Sequence, residues 1–122
     1  MTEVYRADDT RYDNRTAIRR AGDTGLQLPA LSLGLWRHYS SSDPVLDREK
    51  VILKAFDEGV FSFDLSNNYG KPEIGSAERL FGDIYRRNLK PYRDELVITT
   101  KVGFKYGVGP YGEFGSRKAV MQ

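Results

Sequence analysis

Two hydrophobic rhythms alternate along this chain after a polar start. Residues 1–15 carry scattered charges of both signs with no apolar periodicity, which predicts a weakly ordered polar arm. Short apolar stretches at 16–20 and 26–28 flank Asp23-Thr24-Gly25 and predict a small hairpin, with Gly25 supplying the positive φ of the turn. Pro29 introduces residues 30–36, a mostly apolar run of buried-strand length. Residues 47–58 then switch to helical spacing, with Val51, Ile52, Ala55 and Phe56 on one face and Gly59 placed for a left-handed helix end. Residues 60–63 read as a second strand ending at Asp64. Beyond a loop over 65–75, Ser76 is the predicted cap of a helix over 77–87 that turns Leu80, Phe81 and Ile84 inward. Residues 96–100 form a third strand ending at Lys101. The glycine-rich stretch 103–115 predicts a long loop, and Ser116 opens a further helix.

Strands that alternate with amphipathic helices imply an α/β fold with a parallel sheet and right-handed crossovers. The final helix has too few residues to stand alone, and three strands leave an open edge, so the expectation is the front portion of a larger unit. The 122 residues suffice for one modest domain, and 39% hydrophobic with 12% aromatic content excludes wholesale disorder. A net charge of +2 with interspersed signs gives no basic stripe, so no nucleic-acid partner is expected. With zero cysteines, a disulfide scaffold, a thiolate metal site and a cysteine nucleophile are all excluded, and no metal is expected. No apolar run nears the roughly 18 residues of a membrane span, and the polar start lacks a secretory signal's apolar region. The expectation is a cytoplasmic protein with no membrane partner.

Candidate chemistry gathers where strands end. Asp64 and Lys101 are each the first charged residue after an apolar strand, and in a parallel layout the carboxyl ends of strands share one face. Tyr69 lies in the loop after Asp64, close enough to fold back over both. A phenol titrates near 10, too high to exchange protons easily at neutral pH. An adjacent ammonium favours phenolate, and a carboxylate would hold that ammonium in place, so the trio makes a tuned general acid for a carbonyl oxygen. The bland alternatives are a loop-capping Asp64 and a solvated Lys101. Trp36, at a strand's carboxyl end, either lines a pocket or caps the core. His38 reads as a loop histidine near the pocket mouth. Tyr106 and Tyr111 either touch substrate or pack the glycine-rich loop. That loop contains no G-x-G-x-x-G between strand and helix, so no Rossmann reading applies.

From Thr16 onward the chain resembles the N-terminal part of an aldo-keto reductase, in the branch that holds L-glyceraldehyde 3-phosphate reductases and potassium-channel β subunits. The stretches that carry the resemblance are Gly25-Leu26-Gln27-Leu28-Pro29-Ala30-Leu31-Ser32-Leu33-Gly34-Leu35-Trp36, Phe63-Asp64-Leu65-Ser66-Asn67-Asn68-Tyr69-Gly70, Gly75-Ser76-Ala77-Glu78 and Thr99-Thr100-Lys101. Gly82, Tyr92-Arg93-Asp94-Glu95, Gly109-Pro110-Tyr111-Gly112 and Ser116-Arg117-Lys118 agree as well. The resemblance implies that residues 16–122 are the N-terminal portion of a (β/α)8 TIM barrel, with an N-terminal β-hairpin and about three of its eight βα units. It further implies NADPH-dependent reduction of an aldehyde or ketone to an alcohol, including a small or phosphorylated aldehyde such as glyceraldehyde 3-phosphate. Tyr69 would donate the proton, Lys101 would depress its pKa, and Asp64 would pair with Lys101. Gly34, Leu35 and Trp36, with Asp64, would contact the NADP cofactor, and Trp36 and Tyr69 the small-molecule carbonyl substrate. The family's catalytic histidine and its cofactor-phosphate segments belong to later strands, so the isolated chain is expected to be a weak or inactive enzyme. The alternative from another class is a non-catalytic, nucleotide-sensing regulatory subunit on the same scaffold. A homo-oligomer is left open.

Overall fold

A computed structural model describes residues 3–105, 107–113 and 115–121. The hairpin forms as expected. Strands β1 (Ile18–Arg20) and β2 (Gln27–Pro29) pair antiparallel, with Arg19 opposite Leu28, around a turn in which Gly22 and Gly25 have positive φ. Strand β3 (Leu33–Gly34) is much shorter than the expected run, and Leu31 and Trp36 are exposed. The reason is its place in the sheet. Among the described residues the order is β3-β4-β5, so β3 is an edge strand with one hydrogen-bonded neighbour.

Helix α1 (Val45–Asp57) starts directly after Pro44 and runs into β4 (Ser62–Asp64), whose flanking residues are buried as a central parallel strand requires. Ile52 and Phe56, four apart, point into the core, but Val51 is exposed and Leu53 takes its place at the core margin. Gly59 takes φ 84° and closes the helix. Its N–H bonds to the Phe56 carbonyl at 3.0 Å, and the N–H of Val60 reaches Ala55 O at 2.9 Å. A Cβ at Gly59 would also press to 2.6 Å from the Arg11 carbonyl, so this glycine lets the N-terminal arm cross the helix end.

Helix α2 (Ser76–Ile84) buries Leu80, Phe81 and Ile84, as expected, and Ala77 as well, but its α-helical part ends before the expected residue 87. It continues through a widened turn over 85–89 and a tight turn over 90–95 into β5 (Val97–Thr99). All pairings in the three-stranded sheet are parallel, with Leu33 beside Phe63 and Asp64 beside Thr99. The core lies between this sheet and the helices: Phe63 packs on Phe81 with ring centroids 5.2 Å apart, and Leu35, Ile52, Ile84 and Leu89 are fully buried.

The arm departs from expectation. Ala7 is buried and its N–H bonds to Tyr92 Oη at 3.0 Å. Tyr5 Oη donates to Asp57 Oδ1 at 2.7 Å, and the Arg11 guanidinium donates to Glu95 Oε1 at 2.6 Å. Its order comes from partners far along the chain, not from periodicity of its own. The glycine-rich stretch also closes on itself: Lys105 bridges antiparallel to Glu113, and the N–H of Gly107 bonds to Gly112 O at 3.2 Å. Tyr111 is half-exposed beneath the Lys118 ammonium, 5.0 Å from its ring centroid, while Tyr106 lies outside the described residues. Ser116 caps α3 (Arg117–Val120) as predicted, its Oγ accepting from the Ala119 N–H at 3.2 Å.

Candidate active site

The sheet ladder runs past the formal strand ends, and this places the chemistry. The Leu65 N–H bonds to Thr99 O at 2.8 Å, and the Asn67 N–H to Lys101 O at 3.1 Å. Asp64 and Lys101 therefore leave neighbouring strands at the same rim. Lys101 Nζ donates to Asp64 Oδ2 at 2.8 Å, to the Leu65 carbonyl at 2.6 Å and to Tyr69 Oη at 3.1 Å. All three expected residues meet. An ammonium has three N–H donors, and each of these has a partner here.

Thr99 also belongs to the constellation. Its Oγ1 donates to Asp64 Oδ1 at 2.6 Å, so the carboxylate is held on both oxygens. Hydrogen bonds from Lys101 and then Thr99 hold the Asp64 carboxyl below its ordinary value. The bond to Asp64 in turn raises the Lys101 ammonium above its own. The Lys101 and Asp64 side chains are 49% and 39% exposed, so the pair contributes little to stability. Its consequence is position.

Tyr69 is fixed through its backbone. Its carbonyl accepts the N–H groups of Gly75 at 3.0 Å and Ala77 at 3.3 Å, the orphan donors at the start of α2. Ser76 was expected to cap this helix. Gly75 occupies the cap position instead, with φ 87°, and Ser76 is the first helical residue. The buried Ser76 hydroxyl donates to Gly70 O at 2.7 Å and accepts from the Ser41 N–H at 3.1 Å, tying the loop after β4 to the loop after β3. A Cβ on Gly70, where φ is 105°, would overlap Ser76 Oγ and the Ala77 nitrogen, so the turn beside Tyr69 closes only with glycine.

An open cleft of about 530 Å³ lies between those two loops, and Trp36, Arg37, His38, Asn68, Lys71 and Phe104 are among its walls. Trp36 thus lines a pocket, with its indole 60% exposed and the Arg37 guanidinium 4.5 Å above the ring centroid. His38 stands at this cleft, as expected of a loop histidine. Asp64, Tyr69 and Lys101 do not line it. They sit beside it, with Asn68 and Gly70, the chain neighbours of Tyr69, forming part of the wall. At the end of β3, a Cβ on Gly34 would meet nothing within 4 Å, which leaves room for a flat ring against the backbone, whereas the Leu35 side chain is wholly buried. Only the backbone of Leu35 is available to a cofactor.

Sequence reasoning missed Thr99, the Leu65 carbonyl and the tie made by Ser76. Thr99 carried a signal: two before Lys101 on one strand, it shares a face with it.

A hairpin followed by β-α-β-α-β, with its polar trio at the carboxyl rim, is the opening portion of a (β/α)8 barrel. The chain belongs to the aldo/keto reductase family, which matches residues 30–122. It is 46% identical over 118 residues to L-glyceraldehyde 3-phosphate reductase of Escherichia coli K12, covering 97% of this chain and 34% of that protein. It is 35% identical over 107 residues to a Schizosaccharomyces pombe protein assigned as a voltage-gated potassium channel β subunit, covering 86% and 30% of the two chains. A solved structure from Pseudomonas aeruginosa, assigned as an aldo-keto reductase, superposes with a TM-score of 0.61 at 26% identity. It covers 85% of this chain and 39% of that one. The chain spans about a third of the length of the curated relatives it matches. Among the described residues no helix is long and apolar enough to cross a membrane.

Proposed function

We propose that residues 16–122 supply the proton-donating part of an NADPH-dependent reductase that converts an aldehyde or ketone, small or phosphorylated aldehydes included, to an alcohol. The observation that carries this reading is the set of three bonds from Lys101 Nζ to Asp64, Leu65 O and Tyr69 Oη. Because Tyr69 Oη accepts from the ammonium, its own proton is directed away from Lys101, toward a carbonyl oxygen that arrives from the cleft side. When that proton leaves, the phenolate oxygen already has a cation beside it, so the developing charge is stabilised without rearrangement. Asp64 keeps the ammonium charged and placed, and Thr99 keeps Asp64 placed. When bound, NADPH supplies the hydride. The uncrowded backbone at Gly34 and the exposed face of Trp36 fit a nicotinamide ring.

The test is Tyr69→Phe in a complete barrel that carries this segment. Turnover with NADPH should fall by about 10² or more, the usual scale of general acid catalysis, while cofactor affinity is kept. Unchanged turnover would remove Tyr69 as the acid. The similarity to the protein assigned as a channel β subunit favours a second reading, a nucleotide-responsive subunit without turnover. A complete barrel carrying this segment that binds NADPH yet reduces no aldehyde in a wide panel would establish it over the first.

A further inference from the structure

The cleft beside Tyr69 carries an excess of cations that the proton-transfer trio does not use. Arg37 comes from the loop after β3 and Lys71 from the loop after β4, and both line the cleft. Among the described residues neither forms an ion pair, whereas Lys54, Arg79 and Arg86 on the helices all have carboxylate partners. Asp43, the one carboxylate in the wall among the described residues, is engaged locally, its Oδ2 accepting both the N–H and the hydroxyl of Ser40 at 2.8 Å. Asn68 Oδ1 accepts from Ser66 Oγ at 2.7 Å, which leaves the Asn68 amide N–H groups available at the same wall.

We propose that Arg37 and Lys71, with Asn68 and His38, form an anion subsite that holds the charged end of the substrate while its carbonyl lies at Tyr69. The substrate class is then a short aldehyde carrying an oxyanion, either a phosphate or a carboxylate. A guanidinium and an ammonium on opposite loops suit such a group, since the planar fork pairs with two oxygens and the ammonium takes a third. Arg37 rests on the Trp36 ring, so it is oriented before any anion arrives and loses less freedom on binding. The inference rests on the reductase reading for the identity of the ligand's other end, but anion capture itself requires no turnover.

Trp36 is the sole tryptophan and sits under Arg37, so the chain carries its own reporter. Emission is followed while inorganic phosphate, and separately acetate, replaces chloride at constant ionic strength. A saturable change in the millimolar range is expected with phosphate, acetate or both, and the tighter of the two identifies the oxyanion. Lys71→Met, which leaves the Arg37–Trp36 stack in place, should weaken that binding about tenfold, and Arg37→Met should weaken it at least as much. A response that never saturates, or one unchanged in Lys71→Met, overturns the subsite. Loss of turnover in Tyr69→Phe with no phosphate response would leave the reductase reading standing and remove this one. The reverse pattern would do the opposite.

Discussion

Among the described residues, two clusters of a phenol, a cation and a carboxylate are wired differently. At the arm, Tyr12 Oη donates to Glu95 Oε1 at 2.5 Å, and Arg11 donates to the same oxygen at 2.6 Å. At the rim, Lys101 stands between Asp64 and Tyr69, and phenol and carboxylate do not bond to each other. In the first arrangement the phenol proton is committed to a carboxylate. Burial, then the bond to Glu95, pushes Tyr12 up to about 12. In the second the phenol oxygen meets only a donor, so its proton remains for another acceptor. The same three groups make a clamp when the carboxylate is central, and leave the phenol proton uncommitted, as the proposed acid requires, when the cation is. Exposure differs to match: Arg11 and Glu95 are 12% and 31% exposed, against 49% and 39% for Lys101 and Asp64.

Removing each cation breaks the comparison most directly. Lys101→Met should lower turnover by about 10² or more, because the phenolate loses its stabilising charge, yet change stability by under about 0.5 kcal/mol. Arg11→Met should do the reverse. Glu95 is left part-buried without its cation, and the stacking of Arg11 on Phe56 and Tyr92 is lost, so unfolding should become easier by roughly 1–3 kcal/mol. Turnover per folded molecule should stay unchanged. Urea unfolding and steady-state rates on both variants, made in a complete barrel that carries this segment, check the pair, and a large rate loss in Arg11→Met would erase the distinction.

Alkaline titration separates the two regions next. Tyr12 is raised, and burial followed by the bond to Asp57 raises Tyr5 as well. Groups held above their unfolded values contribute stability that is complete below the ordinary phenol value near 10 and is lost as pH climbs through the folded values. The arm should therefore loosen from about pH 10 upward, beginning in the interval to about 12 where Tyr12 titrates. Tyrosinate absorbance together with protease cleavage ahead of residue 16 reads this out, and Glu95→Gln should move the onset downward. At the rim the ordering is different. Asp64 is held below its ordinary value near 3.8 and Lys101 above 10.5, so that ion pair persists through the whole neutral range and is lost only toward acid or strong base.

What the residue pattern disclosed follows the same division. Asp64, Tyr69 and Lys101 were legible because strand ends in a parallel sheet converge by topology, and two of the three directly follow apolar runs. The helices were legible through period, and Ser116 through its position before α3. The arm was not, because Tyr5, Arg11 and Tyr12 find Asp57, Glu95 and Tyr92 only across long stretches of chain, and no local rhythm records such pairings. Ser76 misled because a serine before a helical run usually caps it. Here the backbone of Gly75 takes that position, which frees the hydroxyl to join two loops. The brevity of β3 was hidden because an apolar run reads the same on an edge strand as on a central one.

The smallest effect tests how finely the rim is held. Thr99 lies opposite Asp64 in the β4–β5 register and gives its hydroxyl proton to Oδ1, the oxygen that Lys101 does not bond. Thr99→Val keeps the branched shape and removes the donor, so packing is preserved while the carboxylate becomes freer to rotate. One of the two hydrogen bonds that hold Asp64 low is then gone, and its titration should move upward. The acid limb of the rate profile should shift toward neutrality, with turnover reduced only about three- to tenfold, since Lys101 keeps its bonds to Leu65 O and Tyr69 Oη. A Tyr12→Phe variant, which cuts an equally short bond at the arm, should leave that acid limb where it is. If both substitutions move it alike, the carboxylate at the rim has no privileged part in holding the ammonium, and the contrast between clamp and acid falls.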